Sequence, residues 1–198
     1  MLNQEKRELV ELHVKSILSL LGEDPEREGL QDTPKRVAKM YDEVFGGYSM
    51  DPMDLLKTTF SDDSDETDSS SEGLVMVGPI PFYSHCEHHM VPFFGQAWIG
   101  YIPEGGRVVG ISKLARLLDS FAKRLQIQER LTNQVADTIV DALNPKGVAV
   151  IIRAEHLCMS MRGVKKPGTR TTTSAMRGVF LKEADARAEF LSLVQLNQ

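Results

Sequence analysis

The chain has 198 residues, of which 41% are hydrophobic and 26% charged, and its formal net charge is −5. This composition supports one sizeable domain with a core, and the acidic balance argues against a nucleic-acid partner, because duplex binding needs a broad basic surface. No apolar run is long enough to span a membrane, and the amphipathic N-terminus does not follow a signal-peptide pattern. We therefore expect a cytoplasmic protein with no membrane partner.

Hydrophobic periodicity and end signals predict two helices in the first part of the chain. The first covers residues 4–21 and ends before a glycine. The second has Thr33 as its cap and Pro34 at its first helical position, and it ends at the glycine pair 46–47. We expect residues 1–60 to form an N-terminal helical region.

The next segment, residues 61–73, reads SDDSDETDSSSEG and contains no apolar side chain. Such a tract cannot bury enough surface to order itself, so the sequence predicts a flexible acidic loop. A cation-binding or regulatory role is the alternative, although a run of like charges is usually only solvated.

From residue 74 onward, strand-like and helical segments follow one another. β-branched and aromatic residues predict strands over residues 74–83, 94–103, 107–111, 147–158 and 171–181. Helical periodicity predicts a helix pair and a terminal helix over residues 112–125, 128–143 and 185–195. This order predicts an α+β fold with an antiparallel sheet, and we expect residues 74–198 to form one domain.

Metal-binding residue types are concentrated in the segment SHCEHHM, Ser84–Met90. Cys86 and His89 are three residues apart, a spacing that places both side chains on one side of a turn. Cys158, which follows a second histidine-containing stretch, is the natural third ligand. A thiolate and imidazole set suits zinc, and three protein ligands leave a fourth position for water, as in catalytic zinc sites.

Two other interpretations of this cluster remain open from spacing alone. The site could be a closed structural one, with His85, His88 or His156 as the fourth ligand, or each cysteine could be a small buried hydrophobe. The surplus of histidines favours catalysis. We expect His88, two residues after Cys86, to point away from the metal, so that His88 and His156 are available for proton transfer or for support of the ligands.

Cationic and hydroxyl side chains near these segments indicate an anionic substrate. Ser112 is predicted to cap a helix whose first-turn amides form an anion site together with Lys113, and Arg116 lies one turn further along. Arg162 is in a basic loop, and phosphate is the common ligand of such groups; solvated surface cations are the alternative. Glu129 at a helix start either complements the dipole or accepts two N–H bonds from a ligand, and spacing does not decide between these roles.

Several separate segments together resemble the GTP cyclohydrolase I family. They are DTPKRVAKMYDEVFGG, CEHHMVPFFG, GISKLARLLDSFAKRLQIQERLTNQ, EHLCMSMRGVKKPG and TSAMRGVF. The matches cover nearly the whole chain in order, apart from the acidic tract. The resemblance implies an α+β tunnelling fold, in which a helix pair packs on one face of an antiparallel sheet next to N-terminal helices, and assembly into a homodecamer. It also implies conversion of GTP and water to 7,8-dihydroneopterin triphosphate and formate, the entry to folate or tetrahydrobiopterin synthesis.

The resemblance further assigns roles to individual residues of the predicted catalytic domain, 74–198. It implies zinc ligation by Cys86, His89 and Cys158, catalysis by His88 and His156, recognition of guanine by Glu129 with Gln128, and binding of triphosphate and ribose by Ser112, Lys113, Arg116 and Arg162. Some of these groups would come from neighbouring subunits. The competing hypotheses are another pterin enzyme of the same fold, which the Cys2His set argues against, and a closed zinc module without catalysis.

Overall fold

The computed structural model describes residues 2–61 and 73–197. The acidic loop predicted at residues 61–73 therefore lies outside the described residues, apart from its two end positions. Within the described ranges, no helix combines the length and the apolar character needed to cross a membrane.

The N-terminal part consists of helical segments, as its periodicity predicts. They are α1 (Gln4–Leu20), α2 (Thr33–Val44), a 3₁₀ turn (Gly46–Ser49) and α3 (Pro52–Leu55). The cap of α2 differs from the prediction, because Asp32 rather than Thr33 is the N-cap residue. The Arg36 N–H donates to the Asp32 carbonyl at 3.0 Å, so the helical hydrogen bonding starts one residue earlier than Thr33 would allow.

Polar contacts join helix α1 to helix α2. Asn3 caps α1, and its side chain accepts from the Lys6 N–H. Asp42 of α2 accepts a 2.7 Å hydrogen bond from the Leu2 N–H and forms an ion pair with Arg7. These two donors hold the pKa of Asp42 below its ordinary value, so the contact is present at neutral pH and weakens only as the pH falls through that lowered pKa.

A five-stranded sheet of order β5-β2-β3-β6-β7 forms the centre of the described chain. Its strands are β2 (Val75–Cys86), β3 (Pro92–Ile102), β5 (Leu125–Gln126), β6 (Gly147–His156) and β7 (Arg170–Gly178). All neighbouring pairs are antiparallel except the short parallel pairing of β5 with β2. The α+β class predicted from the order of elements is confirmed, and β5 is the exception to the predicted antiparallel arrangement.

The remaining elements flank this sheet. They are β1 (Thr59–Ser61), which pairs with β4 (Arg107–Val109), and the helices α4 (Ile111–Ala122), α5 (Gln128–Leu143), α6 (Leu157–Ser160), α7 (Val179–Lys182) and α8 (Ala184–Leu196). Ser112 does not cap α4 as predicted, because the helix begins one residue before it and Gly110 is the N-cap. The predicted last strand is too long, since Gly178 has φ +60° and the chain turns there into α7.

Side-chain alternation along the strands gives the sheet two buried faces. On β3, Ala97, Ile99 and Tyr101 contact the larger core, to which α4 and α5 contribute their apolar faces. Trp98, between them, contacts the second core, to which α7 and α8 contribute Phe180 and Phe190. The helix pair therefore covers one face of the sheet, and the C-terminal helices cover the other.

The 3₁₀ turn packs its backbone directly on the end of α4, which gives a test of how the N-terminal region joins the sheet domain. A Cβ at Gly47 would lie 2.3 Å from the Ser120 carbonyl oxygen and 2.8 Å from that of Lys123, whereas one at Gly46 meets nothing within 4 Å. We expect Gly47→Ala to destabilise the protein by about 1–3 kcal/mol through overpacking, and Gly46→Ala to change stability by no more than about 0.5 kcal/mol.

The measurement is the urea midpoint of each variant followed by circular dichroism. Equal midpoints for the two alanine variants would contradict the described packing of the turn on α4.

Candidate metal centre and active site

The end of β2 is a tight turn that presents several histidines. The Cys86 N–H donates to the Val91 carbonyl at 2.9 Å, and the Cys86 carbonyl accepts from the N–H groups of His89 at 3.3 Å and Met90 at 2.8 Å. Met90 closes the turn with φ +56°. This backbone bonding brings the side chains of positions 86 and 89 to one side, as their spacing predicted.

The structure brings Cys86, His89 and Cys158 together. One ligand atom of each lies within 4.8 Å of those of the other two, and within the described residues this is the one such group of potential metal ligands. Cys86 ends β2 and Cys158 lies on α6, directly after β6. Because β3 lies between β2 and β6 and pairs with both, the sheet places the two cysteine segments at the same end, on either side of β3.

The chemistry of these donors fits a divalent cation. Both cysteines are free, and burial together with the adjacent Cys86 raises the pKa of the Cys158 thiol above its ordinary value. Two neighbouring thiolates repel each other in the absence of a positive charge, whereas a bound cation stabilises both. A set of two thiolates and one imidazole is typical of zinc and leaves a position for water.

His88 lies closer to this group than its spacing predicted. Its Nδ1 is 3.8 Å from Cys86 Sγ, which matches the 3.9 Å between His89 Nδ1 and the same sulfur. The two imidazoles meet edge to face with centroids 6.3 Å apart. His88 is exposed and is not among the three mutually close donors, so its ring lies beside the group and faces solvent.

The His85 side chain points to the opposite side of β2 from Cys86, His89 and Cys158, which are called the metal group below. Its ring contacts the ring of Phe45 with centroids 5.1 Å apart, and its Nδ1 is buried without a hydrogen-bond partner among the described residues. Burial lowers the pKa of His85. A neutral ring packed against the N-terminal region indicates a structural role for this histidine.

The two residues that open α5 have opposite environments. The Gln128 side chain is only 1% exposed, and its Oε1 lies 2.8 Å from His156 Nε2. Glu129 is exposed, and its side chain makes no hydrogen bond or ion pair within the described part of the chain. Burial lowers the pKa of His156, and the charge of Glu129 partly opposes that shift.

The predicted anion-binding residues lie on two separate segments. Ser112 and Arg116 are exposed in the first turns of α4, and Lys113 is half-buried there. Arg162 follows α6, and its Nη1 lies 2.9 Å from Nε2 of His89. Within one chain, the structure therefore joins Arg162 to the metal group, while the hydrogen bonds and ion pairs of the described residues do not join the α4 residues to it.

Comparison with known proteins agrees with these features. A family model described as GTP cyclohydrolase I matches residues 10–195. The chain belongs to the GTP cyclohydrolase I family. Three proteins named GTP cyclohydrolase 1 are among its relatives: that of Bacillus pumilus is 54% identical, over 98% of this chain and 99% of its own length; that of Halalkalibacterium halodurans is 56% identical, over 95% and 96%; and that of Brevibacillus brevis is 58% identical, over 92% and 94%.

A solved structure of the archaeosine synthase QueF-Like in the apo form also matches, over 56% of this chain and 97% of that chain. Its sequence identity is 21% and its TM-score 0.42, a similarity too low to support an argument about fold or function.

This member of the GTP cyclohydrolase I family has three site residues that sequence reasoning missed. Arg130 of α5 makes a bidentate ion pair with Glu87, at 2.6 and 2.9 Å. Glu155 holds the loop after α6, since its Oε1 accepts from Ser160 Oγ and from the Gly168 N–H. Phe93 stacks on His156 with centroids 4.6 Å apart. No sequence signal identifies these partners, because the contacts of Arg130 and Phe93 join segments that only the folded sheet brings together, and those of Glu155 depend on the path of the loop after α6.

The ion pair between Glu87 and Arg130 anchors the turn that carries His88 and His89. The Arg130 hydrogen bonds hold the pKa of Glu87 below its ordinary value, so the pair is complete at neutral pH and is lost as the pH falls through that lowered pKa. We expect Arg130→Met to speed amide exchange over residues 87–90 by roughly two- to fivefold at neutral pH, the range for a partly exposed pair.

Hydrogen–deuterium exchange followed by mass spectrometry measures this effect. Arg36→Met is the matched control, since it removes an exposed ion pair with Asp32 on α2 and should leave exchange in the turn unchanged. Unaltered exchange of the turn in Arg130→Met would refute the anchoring role.

Proposed function

We propose that this chain is a zinc-dependent GTP cyclohydrolase I, which converts GTP and water to 7,8-dihydroneopterin triphosphate and formate. The observation that carries the proposal is the Cys86, His89 and Cys158 group in a chain of this family. Three donors with thiolate and imidazole character fit zinc and leave a coordination position open. When bound, zinc supplies Lewis acidity that activates water for hydrolysis near neutral pH.

The proposed role of Arg162 follows from which nitrogen of His89 carries a proton. A guanidinium only donates hydrogen bonds, so the 2.9 Å contact of Arg162 with His89 Nε2 requires that this nitrogen accepts. A ring that gives its Nδ1 lone pair to a cation carries its proton on Nε2 and no longer accepts from Arg162. With a cation held by His89, Arg162 would be available to bind a phosphate or ribose oxygen of the substrate.

His88 and His156 are the proposed catalytic histidines. His88 is exposed beside Cys86, where it can exchange protons with a ligand bound in front of the metal group. His156 is two residues before Cys158, and burial lowers its pKa and so favours the neutral ring. Ring opening, sugar rearrangement and ring closure each need proton transfers, and two imidazoles beyond the ligand set supply them.

The exposed polar residues provide the proposed substrate contacts. Glu129 offers a carboxylate with no partner in the described chain, which can accept two N–H bonds from guanine. Ser112, Lys113 and Arg116, at the start of α4, bind the triphosphate, and the N-terminal amides of that helix add a favourable dipole. Because these α4 residues are not joined to the metal group within one chain, the proposal places them in the site of a neighbouring subunit.

The assembly proposed from the family resemblance is a homodecamer of tunnelling-fold subunits. In it, residues 74–198 form the catalytic domain and residues 1–60 form the N-terminal helical region. The two free cysteines require a reducing compartment to remain metal ligands, which supports a cytoplasmic location.

Formate release from GTP tests the proposal most directly. We expect purified protein to release one formate for each GTP consumed and to yield a product with pterin fluorescence after oxidation. A chelator should abolish both signals, and added zinc should restore them. A protein that carries one zinc per chain yet releases no formate would instead be a closed zinc module, whereas formate without pterin would identify a different product.

Single substitutions separate the metal ligands from the proton-transfer residue. We expect Cys158→Ser to lower zinc content well below one per chain, because it removes a thiolate donor. His88→Ser should retain zinc and fold while turnover falls by roughly 10²–10⁴-fold, the usual contribution of a general acid or base. Zinc content is measured by atomic emission, and turnover by formate release.

The comparison of the two variants also tests the ligand set. If His88→Ser lost its zinc as Cys158→Ser does, His88 would be a ligand, and the proposed set of three protein ligands with an open position would be wrong.

A further inference from the structure

The side chain of Gln128 lies in a buried hydrogen-bond network at the start of α5. Its Nε2 is within hydrogen-bond distance of the Ile152 carbonyl at 3.0 Å, the Thr171 carbonyl at 3.1 Å and Thr173 Oγ1 at 3.1 Å. Carbonyl oxygens only accept, so the nitrogen end of the amide must face them. The reversed amide would place its oxygen against two carbonyl oxygens, and the orientation of the Gln128 side chain is thereby fixed.

The hydroxyl groups beside Gln128 donate in one direction only. Thr132 Oγ1 lies 2.7 Å from the Gln128 backbone carbonyl and must donate to it. Thr132 Oγ1 is also 2.6 Å from Thr173 Oγ1, and since its proton is already used, Thr173 donates in that contact. The lone pairs of Thr173 Oγ1 then accept from Gln128 Nε2. Every proton of the network is consistent with Nε2 of Gln128 acting as the donor.

The fixed amide determines which nitrogen of His156 carries a proton. Gln128 Oε1 has no proton and lies 2.8 Å from His156 Nε2, so Nε2–H donates to it. Phe93 stacks parallel to the imidazole, with 0° between the planes and 4.6 Å between the centroids, and it opposes rotation of the ring. In the neutral ring, Nδ1 is then the nitrogen with the free lone pair.

We propose that Gln128 is a positioning residue, which acts through His156 by holding that imidazole as the tautomer protonated on Nε2 and unprotonated on Nδ1. This inference rests on the proposed function, in which His156 takes part in proton transfer. It replaces the contact with guanine expected for the Gln128 side chain, which is 1% exposed and has its donors and its acceptor occupied inside the chain.

The consequence for catalysis is a hydrogen-bond acceptor of fixed position two residues from Cys158. An imidazole with its proton on Nδ1 could not accept a proton there, although the same side chain would be present. Loss of Gln128 therefore affects the chemical step and not the binding of GTP. We expect Gln128→Met, which keeps the side-chain length and removes the amide, to lower kcat by about 10–100-fold, the usual effect of losing a partner that orients a histidine, and to leave KM for GTP nearly unchanged.

Solid-state ¹⁵N NMR of protein labelled at histidine measures the tautomer directly. The chelated full-length protein is used, and His156→Ala identifies the signals of that residue among the five histidines. We expect a protonated Nε2 and an unprotonated Nδ1 in the unsubstituted protein, and a loss of this preference in Gln128→Met. A His156 protonated on Nδ1 in the unsubstituted protein would overturn the inference, whatever the turnover of the enzyme.

A double-mutant cycle in kcat tests whether Gln128 acts through His156. Gln128→Met should cause no further loss in the His156→Ala background, because the ring it positions is gone. Glu129→Gln is the comparison for a substrate contact and should raise KM instead. Additive losses, or a rise in KM for Gln128→Met like that of Glu129→Gln, would show that Gln128 contacts the substrate and would overturn the inference.

Thr173→Val is the matched control for disturbance of the buried network. It removes one acceptor of Gln128 Nε2 but leaves the two carbonyl acceptors and the Oε1 contact with His156 intact. We expect it to destabilise the protein while the ¹⁵N spectrum retains the Nε2-protonated tautomer and kcat falls much less than in Gln128→Met. An equal fall in kcat with the tautomer retained would mean that packing, and not the proton position, is responsible.

Failure of the inference is distinguishable from failure of the proposed function. Absence of formate release from the unsubstituted zinc-loaded protein would overturn the function, whereas the tautomer of His156 is read without any turnover.

Discussion

The position of β3 between β2 and β6 is the constraint on which the site depends. β3 pairs Phe93 with Ser84 on one side and with His156 on the other, and this register aligns the end of β2 with the end of β6. The metal group forms where these two strands end. Because side chains alternate between the faces of a sheet, a slip by one residue would exchange the two cores and separate the ligands. The packing of Trp98 in one core and Ile99 in the other opposes such a slip.

The same register also explains how polar groups are buried beside the site without a large penalty. A buried side-chain amide costs free energy unless its hydrogen bonds are made. Gln128 is the first residue of α5, and there the helix lies against β6 and β7, whose carbonyl and hydroxyl groups accept from its nitrogen. Its oxygen is paired with His156. Both ends of the Gln128 amide are thus hydrogen-bonded, through residues of α5, β6 and β7. A buried amide with only some of its hydrogen bonds made would be less stable than an apolar contact.

Local patterns predicted the elements better than the contacts between them. The helix pair, the long strands and the spacing of Cys86 and His89 follow from periodicity and short-range geometry, and the structure contains them. The short helices α6 and α7 were not predicted, because four residues give no periodic signal. The ion pair of Glu87 with Arg130 and the stacking of Phe93 on His156 were not predictable either, since their partners are 43 residues apart in the first case and on separate strands in the second.

The neighbours Gln128 and Glu129 show that a sequence motif does not specify the surroundings of each of its side chains. Consecutive residues of a helix point about 100° apart, so the side chains of two neighbours at a helix start have different surroundings. In this chain the first faces inward to His156 and the second faces solvent. In the proposed function the helix start would therefore serve two purposes, because Gln128 would hold the proton of His156 in place and Glu129 would bind the base. A change in the angle at which α5 meets β6 would disturb both side chains, so the proposal couples substrate recognition to the tautomer of His156 through a single helix.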